Sequence, residues 1–250
     1  MRVFTSIQEW REFRKTLNGT VGFVPTMGAL HAGHGSLLQR ARAENDYVVL
    51  SVYVNPTQFN DPKDLEKYPR TLEADVALAG QAGVDFVVAP TYPQMYPDGY
   101  KYRVTESEFS RELCGAHRPG HFDGVLTVVM KLLNFVSPTR AYFGEKDFQQ
   151  LTLIRGMVDA FFMPFEIVAC PTVRESDGLA MSSRNVNLSE DARIRAVAFP
   201  AALRESESAA RARALLESEG FEVDYVEDRD HRRYGAVRIG GVRLIDNVDL

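Results

Sequence analysis

The chain has 250 residues, 45% of them hydrophobic and 25% charged, with a formal net charge of −5. That length suits one large domain, or a large one with a small companion, and the acidic balance excludes a general affinity for nucleic acid or anionic membrane surfaces. Its two cysteines, Cys114 and Cys170, match neither a disulfide framework nor a metal-ligand spacing, so both are expected to be reduced and in or near the core.

Arg2, Glu9, Arg11, Glu12 and Arg14 break up any leader-like apolar run. No stretch is apolar for long enough to span a bilayer, so the expected location is the cytoplasm. Val21-Gly22-Phe23-Val24-Pro25 reads as a buried strand, followed by a glycine-containing turn and a helical pattern over about 33–43. Residues 47–54 are almost continuously apolar and β-branched, as in a central parallel strand covered on both faces. Thr71 to Ala82 has helical spacing, with Leu72, Val76 and Ala79 on one side, and residues 84–89 form the next strand. An apolar helix over 124–136, a strand over 140–143, a helix over 146–162 and a strand over 165–169 continue the alternation. The pattern predicts an α/β fold: a Rossmann-like open parallel sheet with helices on both faces. After about residue 174 it changes. Residues 173–187 are polar and irregular, 189–218 are rich in Ala, Arg and Glu and read as helical, and 221–226 read as a strand. Residues 236–247, broken by Gly240-Gly241, read as a hairpin. The expected division is a catalytic domain over 1–174 and a smaller α+β domain, a lid, over 175–250.

Four segments carry candidate chemistry. The first is Pro25-Thr26-Met27-Gly28-Ala29-Leu30-His31-Ala32-Gly33-His34, between the first strand and its helix. Ligands of open α/β sheets bind at the carboxyl ends of the strands, and a helix N-terminus there favours phosphate. His31 and His34, spaced H-x-G-H, can address one phosphate chain, with Gly33 letting the backbone approach. Two loop histidines can also make only local hydrogen bonds; the strand–turn–helix setting decides for a ligand site. The pattern is the signature of adenylyl-transferring α/β enzymes. The second segment, Tyr53 to Phe59, presents Asn55 and Gln58 as neutral hydrogen-bonding groups suited to a small polar substrate. In the third, Phe143 to Gln150, Gly144 permits close backbone approach, Lys146 can meet a phosphate and Asp147 can accept from ribose hydroxyls. The fourth, Met181-Ser182-Ser183-Arg184-Asn185, sets two hydroxyls and a guanidinium where they can clasp phosphates from the far side.

Between and beyond these segments lie Tyr68-Pro69-Arg70-Thr71, Arg118-Pro119-Gly120-His121-Phe122-Asp123-Gly124-Val125, Asp177-Gly178-Leu179-Ala180 and Arg243-Leu244-Ile245-Asp246-Asn247. The whole set, in this order, closely resembles the pantoate–β-alanine ligase family, densely over about 20–190 and more thinly beyond. The resemblance implies an AMP-forming ligase of the pantothenate and coenzyme A route. In it a pantoate carboxylate attacks the α-phosphorus of ATP, and β-alanine then attacks the pantoyl adenylate. It implies His34, His31, Lys146 and Arg184 as catalytic groups, with His34 the proton donor. Met27, Gly28, Ala29, Leu30, His31, Ala32, Gly33, His34, Gly144, Glu145, Lys146, Asp147, Val173, Met181, Ser182, Ser183 and Arg184 are implied to contact ATP. Met27, Asn55, Gln58 and Gln150 are implied at the pantoate and β-alanine site. No protein metal site is expected; Mg²⁺ should be held by ATP oxygens and water. A homodimer joined through the N-terminal domain is implied.

Ala32, Gly35 and Thr57 depart from the family's usual residues. The C-terminal domain reads as tens of residues shorter than usual, which predicts a mobile segment over 175–187 and an open lid without nucleotide. The alternatives are a nucleotidylyltransferase of the same superfamily, or a non-catalytic binder of nucleotide or pantoate.

Overall fold

The computed structural model describes residues 1–250. Along the chain, β1 (Arg2–Phe4) leads to α1 (Ile7–Arg14), β2 (Val21–Thr26) to α2 (Ala32–Glu44), and β3 (Tyr47–Val52) to α3 (Pro62–Lys67) and α4 (Leu72–Gln81). β4 (Phe86–Val88) is followed by α5 (Tyr92–Met95), α6 (Cys114–His117) and α7 (His121–Val136). β5 (Arg140–Gly144), α8 (Phe148–Ala160) and β6 (Glu166–Cys170) come next. The last part holds α9 (Glu190–Arg195), α10 (Ala198–Glu205), α11 (Ala209–Ser218) and the strands β7 (Glu222–Arg229), β8 (Arg232–Ile239) and β9 (Val242–Asp249).

The first six strands form one parallel sheet in the order β1-β4-β3-β2-β5-β6. The chain runs outward from β2 through β3 to β4, which pairs with the edge strand β1, then returns beside β2 as β5. That reversal opens a crevice at the carboxyl ends of β2 and β5, where this class of sheet binds ligands. One face of the sheet packs on α1, α7 and α8, with Trp10, Leu126, Leu133, Leu151 and Ile154 all buried. The opposite face packs through Leu38 and Ala41 of α2 and Ala79 of α4. Trp10 also donates its indole N–H to the Phe135 carbonyl at 3.0 Å, which ties α1 to the end of α7.

β7, β8 and β9 make an antiparallel sheet covered by α9, α10 and α11. Ile239 pairs with Val242, so Gly240-Gly241 is a two-residue turn, and both glycines have positive φ (+56° and +75°), as a primed hairpin turn requires. The helical stretch expected over 189–218 is three helices. Ser189 caps the first of them; the second starts after Ala196-Val197, and Ser208, which accepts from the Arg211 N–H, starts the third rather than continuing a helix. The breaks let Phe199, Leu203 and Leu216 face a single core. Other differences are local. α7 begins at His121 rather than at 124, and the helix expected from 146 opens with a tight turn over Glu145–Asp147. Short β1, α3, α5 and α6 fall where the sequence offered no periodic run, whereas the sequence reading missed α1 although Ile7, Trp10 and Phe13 recur at helical spacing and pack on the core.

Tyr225, Tyr234 and Ala236 of the small sheet belong to the same buried cluster as α7 and α8, so apolar contact joins the two parts. Arg174 forms a two-pronged ion pair with the buried Asp246 at 2.6 and 2.9 Å. Asn247 donates to the carbonyls of Glu145 and Lys146, both at 2.9 Å. Cys114 and Cys170 are both buried and unpaired. No helix is long and apolar enough to cross a membrane.

Candidate active site

A cavity of about 760 Å³ lies over the carboxyl ends of β2, β3 and β5, roofed by the β8–β9 turn and the 181–185 loop. Met27, His31, Gly33, His34, Asn55, Gln58, Gly144, Lys146, Asp147, Gln150, Val173 and Met181 to Arg184 all border it, so one chamber gathers all four candidate segments. Gly28, Ala29, Leu30, Ala32 and Glu145 are set back from its wall.

The β2–α2 turn shows why. Gly28 and Ala29 both have positive φ, +82° and +50°, a costly conformation for alanine. The buried carboxylate of Asp75 in α4 holds them there. It accepts from Ala29 N (3.1 Å), Leu30 N (2.8 Å) and the Thr71 hydroxyl (3.1 Å). Those two backbone donors, expected to face phosphate, are therefore taken by the protein, and the sequence reading missed Asp75. The Glu145 carbonyl is likewise taken, by Asn247.

His31 caps α2, its Nδ1 accepting from Gly33 N at 3.1 Å, while His34 Nδ1 accepts from His31 N at 3.3 Å. A neutral ring whose Nδ1 accepts carries its proton on Nε2. Both rings are thus fixed as Nε2–H donors, with centroids 4.1 Å apart at the helix N-terminus. Gly33 is needed chiefly for the histidine itself, since a Cβ there would lie 2.8 Å from the His31 ring. Burial, then the neighbouring His31 and Lys146, push the His34 pKa down to about 3. Burial and Lys146 also lower that of His31. Both rings are neutral donors at neutral pH.

His121, at the start of α7, is pushed down to about 3 by burial and by Arg118. Its Nδ1 donates to the Gln58 carbonyl at 2.8 Å and its Nε2 accepts from Arg118 at 3.1 Å. In the unfolded chain both histidines return to about 6.5. Folded pKa values below unfolded ones give stability that is present above pH 6.5 and lost as pH falls toward 3. Each group contributes a slope of up to about 1.4 kcal/mol per pH unit. His121 carries more of it, because both rings border the cavity but His121 is buried whereas His34 is only half-buried. Urea midpoints at pH 7 and pH 5 should therefore converge in His121→Gln relative to the unmodified protein; an unchanged spread would show that His121 is protonated in the fold.

Asn55 differs from its expected role. It is 1% exposed, and its amide donates to Gln58 Oε1 (2.9 Å) and the Gly124 carbonyl (3.2 Å) while its oxygen accepts from Tyr96 (2.8 Å) and Thr57 (3.0 Å). It borders the cavity as a support, with little capacity left for a ligand. By occupying Gln58 Oε1, it turns the Gln58 NH₂ into the free donor. Thr57, a departure from the family pattern, joins this network. Gly124 allows the approach: a Cβ there would meet the Thr57 carbonyl at 2.4 Å. Val125, Val128, Val129 and Leu132 of α7, at helical spacing, give the same chamber an apolar wall.

On the opposite side, Lys146 sits 3.7 Å from Asp147, and nothing would crowd a Cβ at Gly144, which leaves open space for a ligand. The stretch read as irregular contains a small hairpin. Arg174 pairs with Ala180, and the Met181 N–H reaches the Val173 carbonyl. This hairpin projects Ser182 to Arg184 toward α3, where Arg184 pairs with Asp64 at 3.1 Å and the Ser183 hydroxyl lies 3.3 Å from that of Tyr68. No group of three or more His, Cys, Asp or Glu side chains is placed to hold a metal ion.

Comparison with known proteins follows the same lines. A family model described as pantoate-beta-alanine ligase matches residues 2–249. Pantothenate synthetase of Bdellovibrio bacteriovorus is 60% identical over 249 residues, covering 100% of this chain and 99% of that one. The Legionella pneumophila enzyme is 53% identical, covering 99% of both chains. Among solved structures, pantoate-beta-alanine ligase from Francisella tularensis, complexed with beta-gamma ATP and beta-alanine, superposes with TM-score 0.95 at 40% identity, covering 100% of this chain and 97% of that one. The Thermus thermophilus pantothenate synthetase gives TM-score 0.91 at 43% identity, covering 100% and 99%. These relatives match in full length, so the short C-terminal part does not set this chain apart from them, and the inference of an open lid loses its premise.

Proposed function

The chain belongs to the pantoate–β-alanine ligase family and makes pantothenate from pantoate, β-alanine and ATP; from that premise we propose how its residues divide the work. The observation that carries the reading is the pair of histidines locked as neutral Nε2–H donors at the N-terminus of α2, inside the chamber that also holds Lys146. In the first half-reaction a pantoate carboxylate oxygen bonds to the α-phosphorus of ATP. The bond to the bridging oxygen breaks, and pyrophosphate leaves with its electron pair. His34, His31 and Lys146 stabilise charge on the phosphate oxygens; positioning and electrostatics suffice, and no protein nucleophile is needed. Gly144 and Asp147 receive the ribose. Ser182, Ser183 and Arg184 clasp the phosphates from above, with Arg184 exchanging Asp64 for phosphate. In the second half-reaction β-alanine, having shed a proton from its ammonium group, attacks the acyl carbon. The C–N bond forms, AMP leaves with the electron pair of the C–O bond, and the new amide nitrogen loses a second proton.

The Gln58 NH₂ and Gln150 bind oxygens of pantoate, while the α7 wall takes its two methyl groups. Gln150→Leu should raise the KM for pantoate by about 5–100-fold, the range for one unpaired polar contact, and leave that for ATP nearly unchanged. Equal losses for both substrates would show that Gln150 lies elsewhere. Mg²⁺ arrives on the nucleotide, held mainly by phosphate oxygens and water; Asp246, the buried carboxylate on the chamber wall, is engaged by Arg174. When bound, the ion neutralises phosphate charge. Residues 1–174 bind both substrates of adenylation and 175–250 close the chamber. The working unit is a cytoplasmic homodimer, which sedimentation at twice the monomer mass would test. Exchange of labelled pyrophosphate into ATP that requires pantoate tests the chemistry; exchange without pantoate, or none, would overturn it.

A further inference from the structure

Arg118 stands immediately before α7 with its guanidinium on the chamber wall. Its Nη2 donates to the Gln58 carbonyl and its Nη1 to His121 Nε2, both at 3.1 Å. The cation therefore sits against the backbone of Gln58. Two of its five N–H groups are used, leaving donors for a planar anion. Its neighbours differ in one respect: Arg174, Arg184 and Arg243 are paired with Asp246, Asp64 and Asp224, whereas Arg118 has no carboxylate within ion-pair distance. Burial, followed by Arg243, pushes its pKa down to about 10; Asp64 is the weakest influence on it. A half-buried guanidinium among other cations is an uncompensated cost that a bound anion removes.

The substrates narrow the choice of anion. The ATP phosphates belong with α2, Lys146 and the Ser182–Arg184 loop, which already supply them with donors and cationic charge. The pantoate carboxylate loses its charge when it becomes the adenylate. The anion that enters only for the second half-reaction is the carboxylate of β-alanine. We propose that Arg118 is the anchor of that carboxylate, a specificity-determining contact that holds β-alanine beside Gln58 with its amine turned toward the adenylate. The proposal rests on the reading of the chamber given above. His121 then acts as a positioning residue, since by accepting from Nη1 it fixes the plane of the guanidinium.

The test compares β-alanine with its amide, 3-aminopropanamide, which keeps the amine and the chain but carries no charge on the other end. The unmodified enzyme should prefer β-alanine, and in Arg118→Gln that preference in kcat/KM should fall by about 100-fold, the scale of one enclosed charge-assisted pair. Arg118→Lys, which keeps a point charge without the fork, should retain part of it. Pantoate-dependent pyrophosphate exchange involves no β-alanine and should survive in both variants, so loss of exchange in the unmodified enzyme would instead indict the underlying reading. The proposal is overturned if both variants keep the original preference, including the case in which both amines are used less well by the same factor, since that would make Arg118 only a support for Gln58.

Discussion

His34→Ala is expected to slow pantoyl-adenylate formation by about 10²–10³-fold, roughly 3–4 kcal/mol of transition-state stabilisation, in a protein that still folds. The argument is geometric first. His34 Nδ1 is occupied by His31 N, so the ring reaches the chamber with a single defined donor, Nε2–H. Its lowered pKa keeps it neutral while the chamber is empty. Bound polyphosphate brings negative charge that works against the repulsion from Lys146 and His31 and raises the pKa, so the ring gains proton affinity only when its partner is present. Alanine removes the donor and half of the reciprocal cap. The cap alone is worth about 1 kcal/mol, too little to unfold the protein and too little to account for the kinetic loss. Single-turnover formation of the adenylate, followed by quenching and separation, reads the step directly. A folded His34→Ala protein that forms adenylate at the original rate would remove His34 from the mechanism. His34→Gln, with an amide N–H near the same position, should recover part of the loss.

Local signals in the sequence placed most of the chamber. H-x-G-H, Phe143 to Gln150 and Met181 to Asn185 are each contiguous; strand-end position marked the first two, composition and position marked the third, and the family resemblance supplied their roles. The sheet was legible for a different reason: buried parallel strands such as Tyr47–Val52 are almost continuously apolar, Ser51 excepted, with no periodicity to misread. What stayed hidden is non-local. Asn55 looked like a ligand group because a neutral amide just past the carboxyl end of a strand suits a small polar substrate; only its contacts with Tyr96 and Gly124, distant in sequence, show that it is spent on Gln58. The backbone of residues 28–30 looked like a phosphate cradle because its partner sits on another helix. Val125, Val128, Val129 and Leu132 read as core, which they also are; the sequence could not show that the same face borders a cavity. Arg118 was visible inside a family segment, but its lack of a counter-ion becomes apparent only when the acidic neighbours are assigned to other arginines.

Asp75→Asn should cost about 3 kcal/mol of stability and lower pantoate-dependent pyrophosphate exchange by about 100-fold, although Asp75 touches no substrate. One oxygen of Asp75 accepts from Ala29 N and the Thr71 hydroxyl, the other from Leu30 N. Asparagine keeps the size but offers a single oxygen. If that oxygen faces Ala29 and Thr71, an NH₂ group is driven against the Leu30 N–H; if it flips, Ala29 loses its partner. Either way a backbone donor is stranded beside a side chain that is 3% exposed. The strained φ of Ala29 then has less to oppose it, and the chain relaxes just before His31. A shift of about 1 Å in the paired imidazoles is enough for a 100-fold loss when catalysis is positioning. Urea unfolding measures the first effect and pyrophosphate exchange the second. A double mutant separates positioning from general damage. If Asp75 acts through His34, then Asp75→Asn combined with His34→Ala should be little slower than His34→Ala alone, whereas independent contributions would multiply. Multiplicative losses in the folded double mutant would sink the positioning role and leave Asp75 as a structural carboxylate of the turn.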